Sequence, residues 1–249
     1  AGKMKRKTIT YSLLSIVIAL AFISCKKDKP ISVYEGYDYY PNRVGHWVIY
    51  NVDSMYFSGF KWDTSIYQIK EVIDSFYTDN TGRRTQVINR YKRMGDTGIW
   101  VYQKSWTANL TPTEALKKED NITYGKLIFP VSTTNTWNGN AFNTSPDWEY
   151  QYTTVNSPLT IGGTYFDSTL TVLQYADDNS IWHKYYIEQY ATNVGLIYKQ
   201  ETSIVANNIV FGIPDSLTVP SDFIYLLNEG RIDETNTLNY TETYLSSGN

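Results

Sequence analysis

Cys25 is the only thiol of this chain, and it stands where a basic segment, an apolar run and a small residue come to an end. Lys5-Arg6-Lys7 precede a mostly apolar stretch from Ile9 to Ile23. That order is typical of an export signal. The apolar run is about 15 residues long, whereas a permanent transmembrane helix needs roughly 18 to 20. We therefore predict that residues 1–24 are an export signal. A single thiol left in an exported protein also indicates that Cys25 is itself modified.

The side chains that perform most enzyme chemistry are scarce. His46 and His183 are the only histidines, and with no cysteine beyond Cys25 a His/Cys zinc site cannot be assembled. The chain has no G-x-S-x-G elbow, H-E-x-x-H helix, Walker loop or dinucleotide fingerprint. We therefore predict no catalytic residue, no metal and no cofactor, and we expect both histidines to be ordinary polar residues of strands.

Carboxylates keep one enzymatic alternative open. The acid pair of a polysaccharide hydrolase could be drawn from Glu71, Asp74, Glu149 and Glu188. That mechanism depends on the separation between two carboxyl groups, which the sequence does not set. Hydrolysis of envelope or dietary polysaccharide is therefore the alternative function, without assigned residues.

Other charged clusters favour structural interpretations. Asp79-Asn80 and Asp177-Asp178-Asn179 could offer oxygens to calcium, but they lie between alternating runs where Asp and Asn are preferred turn residues. We interpret both as hairpin turns. The densest basic run comprises Arg83, Arg84, Arg90, Lys92 and Arg93. We interpret it as a solvated strand or an edge strand protected by charge.

Aromatic residues dominate the composition, with 23 Tyr, 7 Trp and 9 Phe, while charged residues make up 19%. Aromatic and β-branched side chains fit a half-buried pleated surface and favour strands over helices. The formal net charge of −3 includes the basic signal, so the remainder of the chain is more acidic and nothing in it attracts nucleic acid.

Alternating apolar and polar residues, separated by turn residues, predict strands along most of the chain. Trp148, Tyr150 and Tyr152 give the clearest alternation. The predicted fold class is all-β: an antiparallel meander forming a strongly curved sheet, a partly closed barrel or a sandwich, with at most one short helix. Residues 111–119 are the helical candidate, because Thr111 can cap and Pro112 suits a first helical position.

The predicted organisation has four parts. Residues 1–24 are the signal, residues 25–39 a tether, and residues 40–206 a single antiparallel β domain. Residues 207–249 are a C-terminal extension, whose last residues are rich in Thr, Ser, Asn and Gly and are expected to be disordered.

The stretch Phe22-Ile23-Ser24-Cys25 resembles the lipobox of bacterial lipoproteins, in which the cysteine is lipidated and becomes the mature N-terminus. Recurrent sequences of Bacteroidetes-type lipoproteins of unassigned function are similar to Gly45-His46-Trp47-Val48-Ile49-Tyr50, Phe129-Pro130-Val131, Thr136-Trp137-Asn138-Gly139 and Asn193-Val194-Gly195-Leu196-Ile197-Tyr198-Lys199. This resemblance implies a lipid-anchored protein of the cell envelope, in the outer membrane, and it implies no catalytic residues. Lys26-Lys27-Asp28-Lys29 lacks the acidic run associated with surface export in this group, which favours the periplasmic face.

A strongly curved sheet would close over an interior lined by tryptophan and tyrosine. We predict that Trp47, Trp100, Trp148 and Tyr150 form one aromatic surface facing this interior, where an apolar small molecule or a glycan would bind. The alternative is a purely structural envelope component, in which the same rings fill a core. The leading prediction is thus a non-enzymatic β domain that binds a ligand or a partner, and the sequence does not identify a protein partner.

Replacing Cys25 with Ser should release the protein from the membrane fraction. Each buried CH₂ contributes ~0.8 kcal/mol, so the several acyl chains of a lipoprotein hold it where a single chain would not. The measurement is the partition of wild type and Cys25→Ser between pellet and supernatant after a high-salt wash. Sedimentation of the Ser variant with the membranes would contradict lipidation at this residue.

Overall fold

Strands follow one another along nearly all of the chain that the structure describes. A computed structural model describes residues 34–58, 61–179, 182–205 and 238–248. Its strands are β1 (Trp47–Ser58), β2 (Lys61–Thr78), β3 (Arg84–Arg93), β4 (Val101–Leu110), β5 (Glu114–Glu119), β6 (Ile122–Ile128), β7 (Thr136–Asn138), β8 (Glu149–Ile161), β9 (Thr164–Asp178), β10 (Trp182–Ala191), β11 (Gly195–Val205) and β12 (Leu238–Gly248). Within these ranges the single helical element is a 3-10 turn at Tyr37–Tyr39. The predicted all-β class is confirmed.

The export signal, Cys25 and the first part of the tether lie outside the described residues. Among the residues that are described, no helix has the length and apolar character needed to cross a membrane.

All twelve of these strands belong to one antiparallel sheet. Strands β1 to β6 pair with their neighbours in sequence, and so do strands β7 to β12. In addition β1 pairs with β12, with Trp47 opposite Gly248. The meanders β1–β6 and β7–β12 are thereby joined. At the opposite side the two end strands meet, since Gly125 N donates to Gly139 O at 2.9 Å and Trp137 Nε1 donates to Gly125 O at 2.7 Å. The sheet is therefore a nearly closed barrel.

The alternation of the sequence sets the two faces of this sheet. In β1, Val48, Tyr50 and Val52 are buried, whereas Asn51 and Asp53, on either side of Val52, are exposed. Side chains two residues apart share a face of a strand, so every second residue turns inward. The main apolar core comprises Tyr39, Tyr40, Ile73, Ile88, Trp106, Ala108, Ala115, Leu127, Phe129, Val131, Tyr150, Tyr152, Leu170, Val172 and Tyr190.

The N-terminal segment, residues 34–43, packs against one end of the sheet. Tyr39 is fully buried and its hydroxyl lies 2.7 Å from Ser168 Oγ, while Asp38 O accepts a hydrogen bond from Asn193 N at 2.7 Å. Gly36 has a φ of 85°, and a Cβ at this position would lie 2.5 Å from Val131 Cγ2. The last residues of the predicted tether are thus part of the folded domain.

The helical prediction for residues 111–119 is wrong, because residues 114–119 form β5. Thr111 Oγ1 does accept a hydrogen bond from Glu114 N at 3.0 Å, as a helix cap would. The chain then enters the sheet and pairs with β4 and β6 on its two sides. Pairing on both sides outweighs the local preference of a segment too short to form a stable helix alone.

The C-terminal end of the chain also contributes to the sheet. Residues 238–248 form β12, which pairs with β1 on one side and β11 on the other. The domain boundary predicted at residue 206 would leave β12 outside the β domain. Residues 206–237, which make up most of the predicted extension, lie outside the described ranges.

Leu127 and Leu245 provide a matched test of this packing. Leu127 is fully buried in the main core, whereas Leu245 in β12 is 40% exposed. Leu127→Ala should lower the free energy of unfolding by about 2 to 5 kcal/mol, because it leaves a cavity in a packed core. Leu245→Ala should change it by no more than about 0.5 kcal/mol. Equilibrium denaturation of both variants measures the difference, and equal losses would contradict the assigned core.

Candidate functional site

Charged side chains form a connected row on the inner face of the sheet. We call Glu242, Arg90, Glu71, Lys117, Glu119, Lys126 and Glu188 the interior ion row. At its first end, Arg90 Nη2 lies 2.7 Å from Glu242 Oε1, and Arg90 Nε lies 3.0 Å from Glu71 Oε1 in an ion pair without hydrogen-bond geometry. The Arg90 guanidinium also lies over the Trp106 ring, 3.8 Å from its centroid.

The row continues through two lysines. Lys117 Nζ lies 3.1 Å from Glu71 Oε2 and 3.5 Å from Glu119 Oε1. Lys126 Nζ then lies 3.4 Å from Glu119 Oε1 and 2.7 Å from Glu188 Oε1. Each charge of the row therefore has at least one partner of opposite sign, which a buried charge requires.

Residues of this row that lie two positions apart in one strand point to the same face of the sheet. Lys117 and Glu119 are two residues apart in β5, and so are Lys199 and Glu201 in β11, where their side chains pair at 2.8 Å. Residues at this spacing share one face of a strand. The sequence analysis missed both pairs, because it interpreted β5 as helical and weighed no charged residue of β11.

Ion pairing outweighs burial in the protonation of these groups. Burial raises the pKa of Glu188, but Lys126 and Lys199 lower it further, so the net pKa is lowered. The same holds for Glu119, whose pKa is raised by burial and lowered more strongly by Lys126, Lys199 and Lys117. Burial lowers the pKa of Lys126, and the carboxylates of Glu119 and Glu188 raise it by more. These groups are therefore charged at neutral pH.

A cavity of about 550 Å³ lies beside the Lys126 end of the interior ion row. Ser145 and Pro146 on its lining are exposed, so the cavity reaches the surface there. Its lining comprises Glu119, Tyr124, Lys126, Asn140, Ser145, Pro146, Trp148, Tyr150, Gln174, Tyr175, Lys184, Tyr186, Lys199 and Glu201. We call this space the main cavity.

A second, smaller space of about 70 Å³ also borders Lys126 and Glu119. Tyr40 of the N-terminal segment and Glu71 are among the residues that line it. This volume suits a few ordered water molecules, each of which needs polar partners. Of these two spaces, the main cavity is the one with room for a larger ligand.

Three rings form one side of the main cavity, and we call them the aromatic wall. Trp148 stacks on Tyr175 with ring centroids 4.6 Å apart, and it lies 5.0 Å from Tyr186 in a tilted arrangement. Tyr175 and Tyr186 are 6.3 Å apart, edge to face. Trp148 immediately precedes β8, and the other two rings come from β9 and β10, so the pairing of neighbouring strands brings the three together.

Gln174 carries an unusual polar group of the main cavity. The residue is only 4% exposed, and its Nε2 has no hydrogen-bond partner among the described residues. A buried donor without an acceptor costs about 1 to 3 kcal/mol. Gln174 therefore adds to the lining a side chain whose buried donor is unused.

The structure separates the four aromatic residues that the sequence analysis grouped. Trp148 and Tyr150 line the main cavity. Trp47 lies on the face of β1 opposite Val48, with Lys70 Nζ 4.9 Å from its ring centroid. Trp100 precedes β4 and lies under the Arg93 guanidinium at 4.4 Å. Neither Trp47 nor Trp100 lines the main cavity.

The carboxylates considered for hydrolysis are also separated. Glu71 and Glu188 belong to the interior ion row, whereas Asp74 and Glu149 are exposed. The basic run does not lie on an edge strand, since β3 pairs with β2 and β4. Arg83 and Arg84 are exposed, as a solvated run requires, but the Arg90 side chain is only 11% exposed. Arg90 instead compensates the inward carboxylates.

Asp79 closes the turn between β2 and β3. Its Oδ1 accepts hydrogen bonds from Thr81 N at 2.8 Å and Arg83 N at 3.0 Å. The Thr81 hydroxyl also donates to Asp79 Oδ1, at 2.6 Å. The Thr81 hydroxyl bond, together with these backbone bonds, lowers the pKa of Asp79 to about 2. No group of three or more His, Cys, Asp or Glu side chains suited to a metal occurs among the described residues.

Comparisons with known proteins give one structural likeness. No protein-family model matches the chain, and no curated protein matches it. A presumed exported protein with a YmcC-like fold from Bacteroides fragilis NCTC 9343 is similar in structure, with a TM-score of 0.41 and 10% sequence identity. The match covers 84% of this chain and 98% of that chain.

Replacing Lys126 with Met should lower the free energy of unfolding by about 3 to 5 kcal/mol at neutral pH, because the buried Glu188 loses its nearest cation. In the wild type the pKa of Glu188 is lowered, so its contribution is present above the ordinary pKa of 4.5 and is lost as the pH falls through the folded value. In the variant, burial should raise that pKa above 4.5. Stability should then increase as the pH is lowered from 7 to 5.

Chemical denaturation at pH 7 and pH 5 tests this reversal. Lys104→Met is the control, because Lys104 pairs with Asp120 at 2.8 Å on the exposed surface and its loss should cost no more than about 0.5 kcal/mol at either pH. The same pH dependence in Lys126→Met and wild type would show that Lys126 does not hold Glu188 ionised.

Proposed function

We propose that this chain is a lipid-anchored cell-envelope protein whose β domain binds a small polar molecule in the main cavity. The observation that carries the proposal is the main cavity, which combines an aromatic wall with paired charges and an unpartnered buried amide. Its 550 Å³ falls within the ~300 to 1,000 Å³ typical of small-molecule sites.

Binding accounts for the cavity better than a purely structural role. A structural core would be close-packed, since empty space forfeits dispersion contacts along its whole lining. Here the space adjoins Gln174, whose buried Nε2 is unpartnered, and a ligand acceptor that reaches this donor would recover the energy that it lacks.

The polar lining also favours a polar ligand over a lipid tail. Lys126, Lys199 and Glu201 border the space with charged groups. An apolar chain in contact with them would remove water from those charges without replacing its hydrogen bonds.

Binding without hydrolysis is the function that the carboxylates support. A glycoside hydrolase needs one carboxylic acid with a raised pKa. Glu119 lines the main cavity, but its lysine neighbours lower its pKa. Glu201, also in the lining, is paired with Lys199 at 2.8 Å. The cavity's carboxylates are thus engaged with cations.

The envelope location rests on the start of the sequence. The export signal and the lipobox-like stretch ending at Cys25 support a lipid anchor, and the resemblance to Bacteroidetes-type lipoproteins supports the outer membrane. Lys26-Lys27-Asp28-Lys29 supports the periplasmic face.

Titration of the detergent-solubilised full chain tests the binding function. The probes are neutral mono- and disaccharides, sugar acids, amino sugars and short fatty acids, followed by tryptophan fluorescence. We expect a saturable change with at least one class, because Trp148 lies in the lining. The change should be lost in Trp148→Phe and kept in Trp47→Phe, whose ring lies outside the cavity. No saturable change with any probe, or a change lost only in Trp47→Phe, would contradict the proposal.

A further inference from the structure

The charges around the main cavity are balanced in number. Lys126, Lys184 and Lys199 line the space, together with Glu119 and Glu201. Glu188 pairs with Lys126 at 2.7 Å and adds a third carboxylate to the three ammonium groups. The described residues therefore leave no surplus charge for a charged ligand to neutralise.

This balance disfavours ligands that carry a net charge. An anion would need a surplus of cations, and a cation would need a surplus of carboxylates, because a charge removed from water without a partner is strongly unfavourable. The remaining charges of the interior ion row do not change the count, since Arg90 and Lys117 are matched by Glu71 and Glu242. An uncharged ligand meets no such penalty.

The remaining groups of the lining are suited to a ring that bears hydroxyl groups. The aromatic wall offers ring faces and edges to the C–H groups of such a ring. The Lys199–Glu201 pair places a donor and an acceptor side by side, and a hydroxyl group can accept from one and donate to the other. Gln174 Nε2 adds a donor that has no partner among the described residues.

We propose that the main cavity takes an uncharged saccharide, whose ring packs against Trp148 and whose hydroxyl oxygen accepts a hydrogen bond from Gln174. This inference rests on the proposed binding function and narrows it to one chemical class. A saccharide combines an apolar ring face with hydroxyl groups on its edge, which matches an aromatic wall facing a polar floor.

Charge-matched sugars test the ligand class. The full-length protein in detergent is titrated with glucose, galactose and mannose, with their disaccharides, and with the corresponding hexosamines and hexuronates. The best neutral sugar should bind at least tenfold more tightly than the amine and the acid of the same ring. A charged member that binds equally well or better would overturn the inference. In that case the proposed binding of a small polar molecule would stand. Binding of fatty acids alone would overturn this inference and the polar ligand of the proposed function together. No binding of any probe would contradict both.

Gln174→Leu tests the assigned hydrogen bond. This variant should weaken binding of the best neutral sugar by roughly tenfold, the effect of losing one hydrogen bond. Its unfolding midpoint without sugar should stay the same or rise, because the change removes a buried donor that has no partner. Gln103→Leu is the control, since Gln103 is exposed on β4 and outside the main cavity. Unchanged sugar affinity in a folded Gln174→Leu protein would overturn the assignment.

Discussion

Pairing of charges inside a nearly closed sheet is the constraint on which the rest of this structure depends. The inner face carries arginine, lysine and glutamate from β2, β3, β5, β6, β10 and β12, and a buried charge is tolerated only beside its partner. A shift of one residue in any of these strands would turn its charge outward and leave the partner alone. The interior ion row therefore selects one register for the strands, beyond what apolar burial specifies.

The same charges join the fold to the proposed site. Lys126 and Glu119 border both the main cavity and the smaller space beside the N-terminal segment. Groups held by ion pairs are positioned before any ligand enters, which lowers the cost of ordering them on binding. Gln174 differs from them, because its amide nitrogen has no partner among the described residues.

The sequence predicted the parts of this fold that depend on local periodicity. Alternation and turn residues correctly indicated an antiparallel all-β meander, and the aromatic content led to Trp148 and Tyr150, which line the main cavity.

Features that depend on distant pairing were missed. Arg90 meets Glu242, 152 positions away, and no local pattern indicates that contact. β5 was mistaken for a helix because its capping signal is local, whereas its pairing with β4 and β6 is not. Trp47 was predicted to face the interior of the sheet. The alternation that turns Val48 inward puts Trp47 on the outer face of β1.

The junction between β1 and β12 has a consequence for the order in which the molecule assembles. A chain that emerges from its N-terminus delivers β1 first and β12 last, yet these two strands must pair. Until then the meander β1–β6 has an open hydrogen-bonding edge at β1, and its inward carboxylates and cations face water. Closing a contact between the two extremes of a chain is slow, because the entropy of the intervening loop is lost before the contact forms. Pairing of β12 with β1 therefore closes this side of the described sheet, and a chain released before β12 emerges would keep its β1 edge open to other strands.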